Sequence, residues 1–210
     1  MRNHYSKLLF PIHLHQIHIK ENLSIQREVL SSIQKCYEEK DLPIPDGWLT
    51  DKLYTSFDID EINHAIFSED NSIHQIYRKY VEMMFDKKVK LALEDMWFNY
   101  YVNGEYQEPH SHIAPTVTRP PVHYSCIHYL KYDDEVHLPT VFHDPIEDLR
   151  AHSYEMDSNH YSSKWSPRVT EGDLIMFPSY LQHHVSKSQP TPDNPRITIA
   201  FNLRLLSYGD

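Results

Sequence analysis

Cysteine and glycine are scarce in this 210-residue chain, which has two of the first and four of the second. Cys36 and Cys126 are too few and too far apart for a disulfide framework or a cysteine zinc site, so a cytoplasmic location is the expectation. So little glycine argues against a highly mobile linker. Long apolar runs are missing as well. Residues 1–20 are polar and rich in histidine, and no later segment could serve as a leader or membrane span, so no membrane association is expected. Nor is there an excess of basic residues. Thirty acidic against twenty basic side chains leave a formal charge of −10, which gives no general attraction to polyanions, and direct binding to duplex nucleic acid is not expected. The length suits one domain with a proper core, without internal repeats.

What is present reads as a helical preface followed by a β core. Asn22 or Ser24 is placed to cap a helix running to about residue 40, with Ile25, Val29, Ile33 and Tyr37 on one stripe. The proline-rich stretch 42–47 ends it. Residues 48–58 read as one or two edge strands, and a second helix over 71–85 sets Ile73, Ile76, Tyr80 and Met84 at helical spacing. Residues 1–87 are accordingly read as a supporting region and 88–210 as the β core, where strand patterns alternate with turns. The clearest period-two stretch is 196–205. Ile197, Ile199, Phe201, Leu203 and Leu205 form one face, and Arg196, Thr198 and Asn202 the other.

Histidine is abundant, with 16 in the chain, so a single one such as His15, His18 or His137 carries little information. His123 and His128 read as residues that pack or hydrogen-bond within the sheet. His110 and His112 are different. In an extended strand, residues two apart share a face, so both imidazoles enter one cavity. A turn and short apolar strand over 171–178 then deliver His183 at a strand end or loop. Three imidazoles on one side of an octahedral iron(II) leave open positions for a bidentate 2-oxo acid and O2. A guanidinium with a neighbouring hydroxyl, Arg196 and Thr198, offers a fork of donors for a carboxylate that lysine does not.

These residues occur in an order that resembles the 2-oxoglutarate/iron(II)-dependent oxygenases, most closely a small branch common in phage and bacterial genomes. The landmarks are Trp97-Phe98-Asn99-Tyr100, the His110-x-His112 pair, Ser125-Cys126-Ile127-His128-Tyr129-Leu130, Phe142-His143-Asp144-Pro145, Phe177-Pro178-Ser179 with His183, and Arg196-x-Thr198 ending in Phe201-Asn202. They span about half of the chain. The resemblance implies a mainly β fold with N-terminal helices, an α+β chain built on a cupin-like double-stranded β-helix, or jelly roll. It implies Fe(II) as cofactor, with 2-oxoglutarate as cosubstrate and O2. His110, His112 and His183 would hold the metal and Arg196 and Thr198 the cosubstrate, with Asn99 and Tyr129 as further residues facing its pocket. It also selects His183 over His184, by the spacing Pro178-Ser179-x-Leu181-x-His183-x-Val185.

The chain departs from the commoner spelling of that family, histidine-x-carboxylate, at His112. Were a carboxylate the second ligand, Glu108 and Asp144 would be the candidates, both ranked below His112. The expected reaction is hydroxylation of a peptide or small-molecule substrate, coupled to conversion of 2-oxoglutarate to succinate and CO2. Two other readings are a three-histidine, cupin-type dioxygenase that needs no 2-oxo acid and a non-catalytic jelly-roll binding protein. The Arg196-x-Thr198 pair argues against the first of these. The aromatic and histidine-containing stretch 146–164 reads either as a lid over the site or as a surface loop, and it shares with 115–121 the expected control of substrate choice.

Overall fold

The computed structural model describes residues 11–50, 52–68, 70–113, 122–147 and 162–208. The segment 115–121 and most of 146–164 lie outside the described residues.

Two antiparallel sheets face each other. The larger has the strand order β1-β8-β5-β10-β3-β2, in which β1 is His15–His18, β2 Tyr54–Thr55, β3 Val89–Tyr101, β5 Tyr124–Lys131, β8 Asp173–Pro178 and β10 Arg196–Tyr208. The smaller has the order β4-β9-β6-β7, with β4 Gln107–His110, β6 Thr140–His143, β7 Lys164–Trp165 and β9 His183–Val185. Chain neighbours fall into opposite sheets around the mouth, as in a double-stranded β-helix. The jelly roll expected from the sequence is the observed fold.

The long strand β10 lies between β5 and β3 and alternates as its sequence requires. Ile197, Ile199, Phe201 and Leu203 point outward and are fully buried. Two helices cover them: α1, Asn22–Glu39, and α3, Ser72–Glu82, with Ile25, Val29, Ile33, Ile73 and Tyr77 in the same cluster. Tyr77 stacks on Phe201 with ring centroids 4.6 Å apart. Burying each of these aliphatic side chains is worth about 1.5–3 kcal/mol, so the helices are held by this face rather than by intrinsic helix propensity. The opposite face of β10 meets the second sheet, where Ile127, Tyr129, Phe142, Ile175 and Phe177 form a separate inner cluster.

Several elements differ from expectation. Neither Asn22 nor Ser24 caps α1; Asn22 instead lies inside the helix and sends its amide toward the Leu130 carbonyl, tying α1 to the sheet. Among the described residues of the stretch 48–58, only Tyr54 and Thr55 become strand. A helix that the reading lacked, α2, Asp60–Ile66, follows, with two acids in its first turn and Ile62 and Ile66 buried. The largely polar segment 15–18 forms strand β1, because β8 has an open edge and His18 Nδ1 meets Asp173 Oδ1 at 3.0 Å. The turn before β8 needs Gly172. Its φ is +88°, and a Cβ there would lie 2.9 Å from the His18 ring.

The His128 side chain packs as expected but makes its hydrogen bond outside the sheet. It is fully buried and faces α3, with its Nδ1 2.8 Å from the Tyr77 hydroxyl, while its Nε2 has no partner. Burial therefore depresses its pKa to about 3 from the ordinary 6.5. The folded state binds fewer protons than the unfolded state between these values, so the stability this neutral ring contributes is complete above pH 6.5 and is lost as pH falls toward 3. The melting temperature is expected to drop over that interval. Introducing His128→Leu together with Tyr77→Phe should flatten the dependence; an unchanged slope in thermal melts across pH would contradict this assignment.

Candidate metal centre and cosubstrate pocket

Three histidines converge at the mouth of the two sheets. The ligand atoms of His110, His112 and His183 all lie within 4.8 Å of one another. His110 ends β4 and is paired in register with His183, the first residue of β9, so an ordinary antiparallel pair brings two of the rings together. Their ring centroids are 4.3 Å apart. His112 arrives differently. It lies beyond the end of β4, and its backbone N–H donates to the Ser179 carbonyl at 2.9 Å. Both rings of the HxH pair nonetheless reach the same place, stacked at 5.4 Å, so strand alternation gave the right neighbours for only part of the right reason.

Each ring is held through one nitrogen. His110 Nδ1 donates to the Glu108 carbonyl at 2.8 Å and His183 Nδ1 to the Leu181 carbonyl at 3.0 Å. His112 Nδ1 is shared between Asn202 Oδ1 and Ser125 Oγ, each 2.8 Å away. A carbonyl can only accept, so Nδ1 of His110 and His183 carries the proton and Nε2 keeps its lone pair; this is the usual way in which surrounding groups orient histidines toward a metal. Charge is suppressed as well. Desolvation lowers all three pKa values, that of His112 to about 4, and the neighbouring imidazoles press His112 and His183 in the same direction. The cluster thus presents three neutral donors, the state in which imidazole binds a divalent ion.

The alternative ligands lie elsewhere. Glu108 accepts from the backbone N–H groups of Leu49 and Thr50, at 2.8 and 3.3 Å. Asp144 accepts from the Ile146 amide and is not in the histidine cluster. His184 alternates to the other side of β9, where its Nδ1 is 2.7 Å from His143 Nε2.

Arg196 occupies the inner end of the same crevice. It is 1 % exposed, and none of its three guanidinium nitrogens has a hydrogen-bond partner. Tyr101 and Tyr129 lie against it, with ring centroids 4.6 and 5.4 Å from Cζ. Two aromatic faces stabilise a cation by a few kcal/mol at most, which does not replace hydration lost from five N–H donors. Tyr129 is fixed by its hydroxyl, which meets Thr140 Oγ1 at 3.0 Å. Thr198 follows on the same face and stands in register with both Asn99 and Tyr129. Asn99 Oδ1 accepts from the Thr55 hydroxyl at 2.8 Å.

A narrow cavity of about 20 Å³ connects His110, His112 and His183 to Asn99, Arg196 and Thr198. Tyr129 does not line it. Such a space holds about one water, so a five-carbon dicarboxylate enters only as side chains give way. Outside it opens a cleft of about 470 Å³ over His110 and His112, walled by Trp48, Phe57 and Trp97. The sequence reading gave no role in the site to Tyr101, Ser125 or these three aromatics, although Trp97 and Ser125 stand among its landmarks. Tyr101 continues the inward-facing series Trp97, Asn99 on β3, which is the one signal that could have found it.

The two-sheet barrel with a histidine cluster at its mouth and a buried cation beneath defines a class, the double-stranded β-helix oxygenases that use iron and a 2-oxo acid. The model of the family described as "Putative 2OG-Fe(II) oxygenase" matches residues 95–202, half of the chain, and the chain belongs to that family. Its cofactor is Fe(II), and 2-oxoglutarate and O2 are its cosubstrates. No curated protein matches it by sequence. Among solved structures, it is similar to a Pseudomonas putida prolyl-4-hydroxylase (TM-score 0.54, 13 % identity, 92 % of each chain covered). It is also similar to HygX from Streptomyces hygroscopicus with nickel and 2-oxoglutarate bound (TM-score 0.53, 12 % identity, 91 % of this chain and 82 % of that one). A third is SnoN, a non-heme α-ketoglutarate-dependent epimerase from nogalamycin biosynthesis (TM-score 0.57, 9 % identity, 92 % and 78 %). At such identities these likenesses speak for the fold, and the different reactions named leave the substrate open.

The ring geometry makes a direct prediction. In the metal-free protein at pH 7, ring ¹⁵N shifts should show His110 and His183 neutral and protonated on Nδ1. Charged rings, or protons on Nε2, would contradict the orientation described above.

Proposed function

We propose that the chain is a hydroxylase in which His110, His112 and His183 hold iron(II) and Arg196 with Thr198 holds 2-oxoglutarate. The observation that carries this reading is the buried, unpartnered guanidinium of Arg196 at the far end of a cavity that begins at the three histidines. An uncompensated buried cation costs several kcal/mol, and a carboxylate accepting two parallel N–H bonds removes that cost. A dicarboxylate matches the site at both ends. One carboxylate pairs with the guanidinium and the Thr198 hydroxyl, and the 2-oxo-acid end lies toward the imidazoles.

When bound, the metal supplies O2 activation, so that 2-oxoglutarate is converted to succinate and CO2 while one oxygen atom enters a C–H bond of the substrate. The protein's residues set the conditions. Glu108 and Leu181 carbonyls fix the His110 and His183 rings, and Asn202 with Ser125 fixes His112, so the ligand set is formed before metal arrives. Tyr101 and Tyr129 lie against the planar guanidinium and keep it away from water. Phe142 and Phe177 pack against His183 at 5.8 and 4.8 Å and shield the inner side. Trp97 closes the other side against His112. The substrate enters from the outer cleft and is a peptide side chain or a small molecule.

Among the described residues no helix is long and apolar enough to cross a membrane. Family membership speaks against the cupin-type reading that dispenses with 2-oxoglutarate and against the non-catalytic one.

Two substitutions separate the roles. His183→Ala should lower iron(II) affinity by about 100-fold or more in anaerobic equilibrium dialysis, and His184→Ala should leave it within a factor of about 3. Retention of iron by the His183 variant would remove it from the ligand set. Arg196→Ala should weaken 2-oxoglutarate binding by about 100-fold, roughly the loss of a charge-assisted bidentate pair, without altering metal affinity. Unchanged 2-oxoglutarate affinity in calorimetry would defeat the cosubstrate assignment.

A further inference from the structure

One of the buried histidines outside the metal cluster, His137, bears on Arg196. It belongs to the segment 132–139 that joins β5 to β6, and it is 2 % exposed, whereas its apolar neighbours Val136 and Leu138 are 44 and 41 % exposed. Hydrophobicity alone would turn this segment the other way. Hydrogen bonds explain the choice. His137 Nδ1 accepts from the backbone N–H of Asp133 at 3.0 Å, and its Nε2 lies 3.0 Å from the Asn194 carbonyl, which can only accept. The ring is therefore neutral with its proton on Nε2, the reverse of the tautomer of His110 and His183. Burial lowers its pKa below the ordinary 6.5, with the Arg196 and Lys131 charges acting in the same direction against the Asn194 carbonyl and the Asp133 carboxylate.

Both ends of this bridge lead to the guanidinium. Asn194 lies two residues before Arg196 and closes the turn 191–194, its N–H donating to the Thr191 carbonyl at 3.0 Å, so the carbonyl that His137 holds stands at the entry to β10. Asn194 Nδ2 donates to Asp133 Oδ2 at 3.0 Å, a second tie between the same two segments. On the other side, the His137 carbonyl accepts from the Tyr132 hydroxyl at 3.0 Å, and the Tyr132 ring meets Tyr129 edge-on at 5.0 Å. Tyr129 is one of the two aromatic faces against Arg196. Thr140, three residues beyond His137, grips that same side chain: its N–H donates to the Tyr129 hydroxyl at 3.1 Å, and its Oγ1 accepts from it. The imidazole thus joins the strand that carries the cation to the segment that holds the ring packed on it.

We propose that His137 is a positioning residue for cosubstrate binding, one that holds the Arg196 end of β10 and the Tyr129 face in the geometry that receives the cosubstrate carboxylate. This rests on the function proposed above, in which Arg196 binds that carboxylate. His137 does not line the cavity that runs to Arg196, so it acts through its neighbours. The guanidinium nitrogens have no partners of their own, and its place depends on its strand and on the two tyrosines. A bidentate pair needs its donors held to within about 0.5 Å. Of the two ring nitrogens, Nε2 is the one that reaches the Arg196 strand, whereas Nδ1 closes the segment 133–137 on itself.

The test measures 2-oxoglutarate binding by calorimetry in the anaerobic, iron(II)-loaded full chain, with iron affinity and melting temperature determined for every variant. His137→Leu should weaken 2-oxoglutarate about tenfold, against about 100-fold for Arg196→Ala, and leave iron affinity within a factor of about 3. His137→Gln, whose amide can still donate toward the Asn194 carbonyl, should recover most of that loss. Ile33→Val, in the cluster beneath α1, is the control for stability alone: it should lower the melting temperature and leave 2-oxoglutarate affinity unchanged. A further readout needs no variant. In the metal-free protein at pH 7, ring ¹⁵N shifts should show His137 neutral and protonated on Nε2. A proton on Nδ1, a glutamine variant no better than the leucine one, or an equal loss of affinity in Ile33→Val would overturn the inference. Weakened binding in Arg196→Ala with none in His137→Leu would defeat the positioning role alone; full affinity in Arg196→Ala would defeat the cosubstrate assignment, and this inference with it.

Discussion

Strand β10 has to satisfy two environments at once, and the rest of the molecule is arranged around that requirement. Its outward side chains need an apolar cover, which α1 and α3 provide. Its inward side chains include Arg196 and Thr198, a cation and a hydroxyl in a space too small for bulk water, and Asn202, an amide at the outer cleft. A one-residue slip would exchange these faces, burying the guanidinium beneath the helices and turning Phe201 toward the cavity. The packing that fixes register in the core therefore fixes the site. From one strand, Arg196 sets the inner end of the crevice and Asn202 the orientation of His112.

Burying these groups opposes folding. Arg196 has three unpartnered nitrogens, and three neutral imidazoles crowd within a few ångströms. In an isolated barrel both arrangements are unfavourable, and in the proposed assignment a divalent metal and a dicarboxylate relieve them together. Binding and folding stability are thereby linked: ligands that bind only the folded state raise its stability in proportion to the logarithm of their concentration. Protein prepared without them is the less stable form. The helices and the outer cluster are what allow the barrel to carry that strain, since their apolar contacts do not depend on the site.

Much of this was legible in the sequence. The period-two pattern of 196–205 identified β10 and both its faces, and ordered landmarks from Trp97 to Asn202 identified the family and its fold. Helices α1 and α3 followed from apolar spacing. What escaped the reading depends on contacts between distant segments. The largely polar segment 15–18 becomes a strand only because β8 has an open edge, and helix α2 is short enough for its two buried isoleucines to look accidental. His112 lies outside β4, where its position is set by Ser179 and Asn202 rather than by alternation. The bulge in β3, where Glu94 and Asp95 together stand opposite Asn202 of β10, leaves no mark in the sequence, because it is a mismatch between two strands. Tyr101, Trp48 and Phe57 likewise gain their meaning from where β3 and the 48–57 segment come together.

The central claim is that the three-histidine cluster and the buried guanidinium form one site spanned by 2-oxoglutarate. The most direct measurement is to titrate 2-oxoglutarate into the anaerobic iron(II)-loaded protein and record the visible spectrum. A saturable metal-to-ligand charge-transfer band, the signature of a 2-oxo acid chelating iron(II), is the result expected. Iron demonstrably bound with no such band at saturating 2-oxoglutarate would contradict the account.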